Sequence, residues 1–93
     1  MPYIPQADRP NLEHIATTAS KVLLPGTQDF AGRLNFLIST ILLRCLDDAG
    51  MNYRNMNEIV GVLGCVEMEI YRRVIAEYED EKIKVNGDVF NGS

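Results

Sequence analysis

The sequence predicts an all-α protein with three principal helices, an extended N-terminal arm and a short C-terminal hairpin or turn. Apolar residues recur at helical spacing through three long segments. Proline- and glycine-containing stretches separate these segments. A chain of 93 residues predicts one domain over residues 1–93. Since so small a domain buries little of its own surface and 46% of the residues are apolar, we also expect an oligomer.

Three prolines within the first ten residues predict an extended arm over residues 1–9. Helix one is predicted over residues 10–24, with Asp8 as its N-cap and Pro10 in its first turn. Pro25-Gly26 follows at once and predicts the end of the helix.

Helix two is predicted over residues 28–49, with Thr27 as its N-cap and Gly50 just past its end. There is no charged residue between Arg33 and Arg44. A helix that is apolar nearly all round is expected to be buried nearly all round. Two other helices of one chain do not suffice to cover it, so the sequence predicts a homodimer or higher oligomer that buries parts of helices two and three.

Helix three is predicted over residues 55–83. Asn55 as N-cap and Glu58 at the third helical position form a near capping box. Gly61 and Gly64 each cost about 1 kcal/mol relative to alanine in a helix interior. Either they permit a close helix crossing, or the helix breaks there.

The tail, residues 84–93, holds an Asn-Gly pair between short apolar alternations. Such a pair favours the tight turn of a hairpin. It equally suits a helix that ends at Asn86 with Gly87 in the left-handed conformation. The sequence leaves both interpretations open.

Charge and apolar length exclude several functional classes. A net charge of −4 gives no overall field that attracts nucleic acid or an anionic membrane. The longest apolar stretch, Leu34 to Leu43, is too short to span a bilayer. No basic segment precedes an apolar run, so we expect no signal peptide and a cytoplasmic location. Cys45 and Cys65 fall within apolar helical patterns and are expected to be reduced core thiols.

No catalytic, metal-binding or cofactor-binding pattern is evident. His14 is the only histidine, and no orienting acid accompanies it and the two cysteines. There is no Cys-x-x-Cys, no histidine pair one turn apart and no Glu-x-x-His. The sequence therefore predicts no enzyme and no cofactor.

The acidic run at residues 77–81 is the basis of a remote enzymatic alternative. Glu77 and Asp80 have the one-turn spacing found in magnesium-dependent nucleotide hydrolases. Such an enzyme needs a second carboxylate pair on a facing helix, and Asp47-Asp48 is the nearest candidate. The simpler interpretation is a solvated acidic face.

A winged helix-turn-helix that binds DNA is the main alternative. Gly64 would be the turn glycine, residues 66–78 the recognition helix and the Asn-Gly hairpin the wing. Arg72 and Arg73 would contact phosphates. The net negative charge, and glutamates at the start of the proposed recognition helix, disfavour nucleic acid.

A cluster of donors, cations and aromatic rings is the candidate binding site. Within two turns lie Tyr71, Arg72, Arg73 and Tyr78, and the two tyrosines are spaced to share one helix face. Such a set can grip a small ligand or an acidic loop. The predicted binding residues are Tyr3, Tyr71, Arg72, Arg73, Tyr78 and Glu79. The competing interpretation is half-buried tyrosines and arginines paired with nearby glutamates.

Several segments resemble a family of short uncharacterised bacteriophage and bacterial proteins. They are the opening Met1-Pro2-Tyr3-Ile4-Pro5, the middle Leu34-Asn35-Phe36 and Asn57-Glu58-Ile59-x-Gly61-x-Leu63, and the ending Tyr71-Arg72-Arg73 … Tyr78-Glu79-Asp80-x-Lys82-Ile83 … Asn86-Gly87-Asp88-Val89. The resemblance covers most of the chain and is most specific at its two ends. It implies no activity and assigns no site residues.

The resemblance bears on fold and setting. Family members carry glutamate where this chain has Gly64 and proline where it has Glu77. This implies a long third helix with a bend near Ala76 rather than a helix-turn-helix corner. A phage setting implies a small non-catalytic binder in the host cytoplasm, which acts on a host protein or sequesters a small ligand.

Overall fold

A computed structural model describes residues 3–90, and within this range the protein is all α. After a turn of 3₁₀ helix at Gln6–Asp8, the helices are α1 (Pro10–Val22), α2 (Phe30–Ala49), α3 (Tyr53–Ile70) and α4 (Ala76–Asn86), and a π-helical segment, Tyr71–Ile75, joins the last two. Together α3, the π-helical segment and α4 form one bent third helix of 34 residues. Residues 3–90 contain no strand, and the predicted all-α class with three helices is confirmed.

The described chain falls into two compact units. Residues 3–59 form the N-terminal unit, which holds α1, α2 and the start of α3. Residues 60–90 form the C-terminal unit, which holds the rest of the third helix. One domain over the whole chain stays a prediction.

The N-terminal arm is not extended throughout. Its Gln6–Asp8 segment forms the 3₁₀ turn, so Asp8 lies within that turn and does not cap α1. Arg9 occupies the N-cap position without a side-chain cap, and its Nε donates to the backbone oxygen of Ile4 at 3.0 Å. Pro10 stands in the first helical turn, where its missing N–H is not needed. The part of the predicted arm at residues 1–2 lies outside the described residues.

The turn between α1 and α2 is organised by Leu24 and Thr27. Helix α1 ends at Val22, two residues before the predicted end. Leu24 has a φ of 54°, a left-handed conformation rare for such a side chain, and the following Pro25 disfavours its right-handed helical conformation. The Thr27 hydroxyl donates to the backbone oxygen of Leu24 at 2.7 Å. Thr27 therefore holds this turn and does not cap α2, which begins at Phe30.

A pair of asparagines sets the start of the third helix. Helix α2 ends at Ala49, as predicted, and Gly50 follows with a φ of 119°. The backbone N–H of Asn55 donates to Oδ1 of Asn52 at 2.9 Å, so Asn52 is the cap and α3 begins at Tyr53. The Asn55 side chain donates to the backbone oxygen of Gly50 at 2.9 Å. The prediction of Asn55 as N-cap is wrong, because the cap is the asparagine three residues earlier.

The third helix continues beyond its predicted end. Gly61 and Gly64 lie inside uninterrupted α3, so no turn forms at Gly64. The predicted bend near Ala76 agrees with the π-helical segment that ends at Ile75. Helix α4 ends at Asn86 rather than residue 83.

The C-terminal tail ends a helix and forms no hairpin. Gly87 has a φ of 88°, and its N–H donates to the backbone oxygen of Ile83 at 2.8 Å. This is the hydrogen bond expected where glycine ends a helix. The helix-end interpretation is therefore right and the hairpin interpretation wrong up to residue 90; residues 91–93 lie outside the described residues.

The helices have no fully buried side chain anywhere in residues 3–90. Five apolar side chains of α2 are half-buried, Phe30, Leu34, Leu37, Leu42 and Leu46, and Phe36 is 73% exposed. Both cysteines are free thiols. Cys45 is exposed, so the expectation of a core thiol is wrong for this residue in the single chain, while Cys65 is half-buried.

Candidate functional site

The π-helical segment Tyr71–Ile75 organises the predicted binding cluster. The Ala76 N–H donates to the backbone oxygen of Tyr71, five residues back, which is the hydrogen bond of a π-helix. Such a turn adds about one residue to the helical repeat, and single π turns are frequent at functional sites. Side chains after the segment are therefore rotated relative to those before it.

The rotation aligns Tyr71 with Glu79. In a regular helix, residues seven apart share a face, and one inserted residue changes that spacing to eight. The hydroxyl of Tyr71 donates to Oε1 of Glu79 at 3.0 Å. The structure thus joins two of the predicted site residues, Tyr71 and Glu79. The spacing of a regular helix had instead predicted that Tyr71 shares a face with Tyr78.

The pKa of the Tyr71 phenol is raised above its ordinary value. The largest cause is its hydrogen bond to Glu79, followed by the negative charge of the same carboxylate. Desolvation and the charge of Asp80 act in the same direction. Tyr71 is therefore held as a neutral donor, and nothing in its surroundings prepares it as a base or nucleophile.

The two arginines of the cluster differ in their contacts. Nη2 of Arg72 contacts Oε1 of Glu69 at 2.9 Å, one helical turn away, as the local-pairing interpretation expects. Arg73 carries no hydrogen bond or ion pair within residues 3–90. Of these two arginines, Arg73 is the one whose guanidinium is available to an anionic group.

Tyr78 lies on α4 and is exposed. The Lys82 ammonium lies 5.4 Å from the centre of its ring, which is within the range of a cation–π contact. Lys82 was not among the predicted site residues, although its four-residue spacing from Tyr78 indicates this contact.

Tyr3 lies apart in the chain from the other predicted site residues. It belongs to the N-terminal unit and is exposed, whereas the other five belong to the C-terminal unit. Its membership of a shared binding site stays a prediction.

A shallow groove of about 550 Å³ adjoins the cluster in the C-terminal unit. Tyr71, Glu79 and Ile83 line it together with the segment that follows Gly87. The N–H of Phe90 donates to Oδ1 of Asp88 at 2.8 Å, which shapes that segment. Sequence analysis missed this groove, because its far wall depends on the course of the chain after the helix end.

A larger groove of about 1000 Å³ lies between α1 and α2 in the N-terminal unit. Nη1 of Arg33 donates across it to the backbone oxygen of Val22 at 3.4 Å. Its lining is mainly apolar: His14, Ile15, Thr18, Ala19, Val22, Leu23, Gln28, Asp29, Gly32, Arg33, Phe36 and Leu37. The apolar stripes of both helices were visible in the sequence, but which side chains line a common groove was not.

The acidic run is spread along α4 as a solvated face. Glu79 accepts the Tyr71 hydrogen bond, and Oε1 of Glu81 lies 3.4 Å from Nζ of Lys84. Within residues 3–90, no group of three histidine, cysteine or acidic side chains is placed to hold a metal ion. No helix in this range has the length and apolarity needed to cross a membrane.

Comparison with known proteins places the chain in a family. No curated protein and no solved structure matches it. A family model described as a domain of unknown function, DUF6899, matches residues 1–89, which is nearly the whole chain. The protein therefore belongs to the DUF6899 family.

Proposed function

We propose that this protein is a non-catalytic, self-associating helical binding protein. The observation that carries the proposal is the absence of any fully buried side chain among residues 3–90. Burial of apolar side chains is the dominant favourable contribution to folding. A chain with this many exposed apolar side chains needs a further surface to complete its core.

The proposed binding surface is the tyrosine–arginine cluster. It offers an exposed ring at Tyr78, a hydroxyl at Tyr71 fixed by Glu79, and at Arg73 a cation with no partner among residues 3–90. These groups suit an acidic loop of a protein or a small anionic ligand. The resemblance to phage and bacterial proteins supports a host protein or a sequestered ligand as the target.

The alternatives have less support. A winged helix-turn-helix needs a turn at Gly64 and a wing hairpin, whereas α3 runs through Gly64 and residues 3–90 contain no strand. A magnesium-dependent hydrolase needs carboxylates gathered around an ion, whereas those of α4 lie along a solvated face with Glu79 and Glu81 engaged locally.

Self-association is tested by sedimentation equilibrium across a wide range of protein concentration. We expect a dimer or larger assembly throughout the upper range. A 10.4 kDa species at the highest concentration would overturn the proposal. Native mass spectrometry of protein purified from its own host reports a bound ligand in the same experiment.

The role of the cluster is tested with Arg73→Ala. We expect this variant to lose the co-purified ligand or partner and to keep the wild-type assembly. Loss of the assembly instead would assign Arg73 to structure.

A further inference from the structure

We infer that the groove between α1 and α2 is the surface on which a second copy of the chain docks, with Phe36 of each copy filling the groove of the other. The inference rests on the proposed self-association and names the surface responsible for it. It concerns the N-terminal unit alone, so it is independent of the tyrosine–arginine cluster.

The groove is too open to be a small-molecule site. Three of its apolar side chains stay exposed, Ile15 at 58%, Val22 at 64% and Phe36 at 73%, while Ala19, Leu23 and Leu37 are half-buried. Small-molecule sites bury most of their ligand's surface within a cleft or cavity. A mainly apolar groove about 1000 Å³ in volume that runs between two helices instead suits the apolar face of another helix.

Gly32 leaves room for a close approach from outside the chain. A Cβ atom built at Gly32 meets nothing within 4 Å, so no contact within the chain requires glycine there. The same holds for Gly61 and Gly64, but Gly32 differs from them in lining the groove. Without a side chain at this position, another chain can pack directly against the α2 backbone.

Phe36 is the matching projection. It stands one turn after Gly32 on the same side of α2, and both line the groove. A surface that carries both a gap and a projecting ring is complementary to itself. Self-complementarity of this kind is what a two-fold interface requires, because each copy presents the same patch.

The charges on the groove favour a second copy over an unrelated protein. Asp29 stands at the N-cap position of α2 and Arg33 lies one turn later, and both line the groove. Across a two-fold axis perpendicular to α2 the partner presents the same pair in reverse order, so acid meets base at both positions.

Gly32→Leu and Phe36→Ala test the surface, and Gly61→Leu is the matched control. Leucine at either glycine meets open space in the single chain, but only Gly32 lines the groove. We expect Gly32→Leu and Phe36→Ala each to raise the dimer dissociation constant roughly 30-fold, as for a central interface position. Gly61→Leu is expected to change it less than threefold.

Hydrogen exchange of the wild-type chain gives a second measurement that no variant can confound by misfolding. Raising the protein concentration should protect backbone amides within residues 14–37. Protection confined to residues 60–86 would overturn the inference.

The outcomes separate this inference from the proposed function. A monomeric wild-type protein overturns both. Self-association that both groove variants leave intact overturns only the docking surface. Groove variants that keep the assembly but lose a co-purified small molecule in native mass spectrometry would make the groove a ligand site and likewise overturn it.

Discussion

At the scale of single residues, the hydrogen bond between Tyr71 and Glu79 is the contact specific to the π-helical segment. It joins side chains eight residues apart, a spacing that a regular helix does not align. The bond holds the phenol proton and raises the pKa of Tyr71. The same bond therefore offers a direct measurement of whether the π turn forms in solution.

Glu79→Gln is expected to lower the pKa of Tyr71 toward its ordinary value. The change removes the carboxylate charge, which supports both leading causes of the shift. The measurement is a pH titration of tyrosinate absorbance, with Tyr71→Phe identifying the contribution of this one tyrosine. Glu77→Gln removes the same charge from the same helix without this hydrogen bond. Equal titration curves for Glu79→Gln and wild type would show that the contact does not form.

The raised pKa of Tyr71 also makes the stability of the folded chain depend on pH. The folded chain binds the Tyr71 proton more tightly than the unfolded chain does. The contribution of this hydrogen bond to the free energy of unfolding is therefore fully present below the unfolded pKa of about 10. It is lost as pH rises through the folded pKa. In Glu79→Gln the free energy of unfolding should therefore fall less steeply at alkaline pH than in wild type.

At the scale of elements, the asparagine pair explains where the third helix begins. Asn52 caps the backbone N–H of Asn55, and the Asn55 side chain returns to Gly50. The Asn52 side chain satisfies a backbone N–H that the helix end leaves unpaired, and the Asn55 side chain adds a second donor to the Gly50 oxygen, which also accepts from the Asn52 N–H. The pair therefore holds the connection between α2 and α3.

Asn52→Ala should lower the free energy of unfolding by about 1 kcal/mol, because it removes the N-cap hydrogen bond. Urea unfolding followed by circular dichroism measures the change. Asn57→Ala is the control, since Asn57 lies exposed within α3 and caps nothing. If the two variants lose equal stability, Asn52 does not act as the cap.

Sequence periodicity predicted the elements better than their ends. Apolar residues at helical spacing, interrupted at Pro25-Gly26 and Gly50, were enough to predict three helices. At these places the apolar pattern and the backbone preferences of proline and glycine indicate the same helix ends. The prediction of the N-cap residue was wrong because Asn52 and Asn55 both suit that role, and only the folded backbone distinguishes them. The π turn has no comparable spacing signal, so the pairing of Tyr71 with Glu79 was not predictable although both residues were chosen.

At the scale of the whole molecule, exposed apolar surface links stability to self-association. The sequence indicated this through the uncharged stretch between Arg33 and Arg44, and the structure leaves Phe36 in that stretch 73% exposed. What spacing did not indicate is the groove, which depends on how the turn at Leu24 sets α1 beside α2.

If association completes the core, the thermal midpoint must depend on protein concentration. Anything that binds the folded chain and not the unfolded chain stabilises it by mass action, and a second copy acts in the same way. We therefore expect the wild-type Tm to rise steadily with concentration in scanning calorimetry. Gly32→Leu should melt at a lower Tm than wild type at each concentration, because its roughly 30-fold weaker dimer needs more protein for the same stabilisation, while Gly61→Leu should keep the wild-type values. A wild-type Tm that stays constant across the range would mean that each chain folds without its neighbour, and the exposed apolar faces would then need another explanation than self-association.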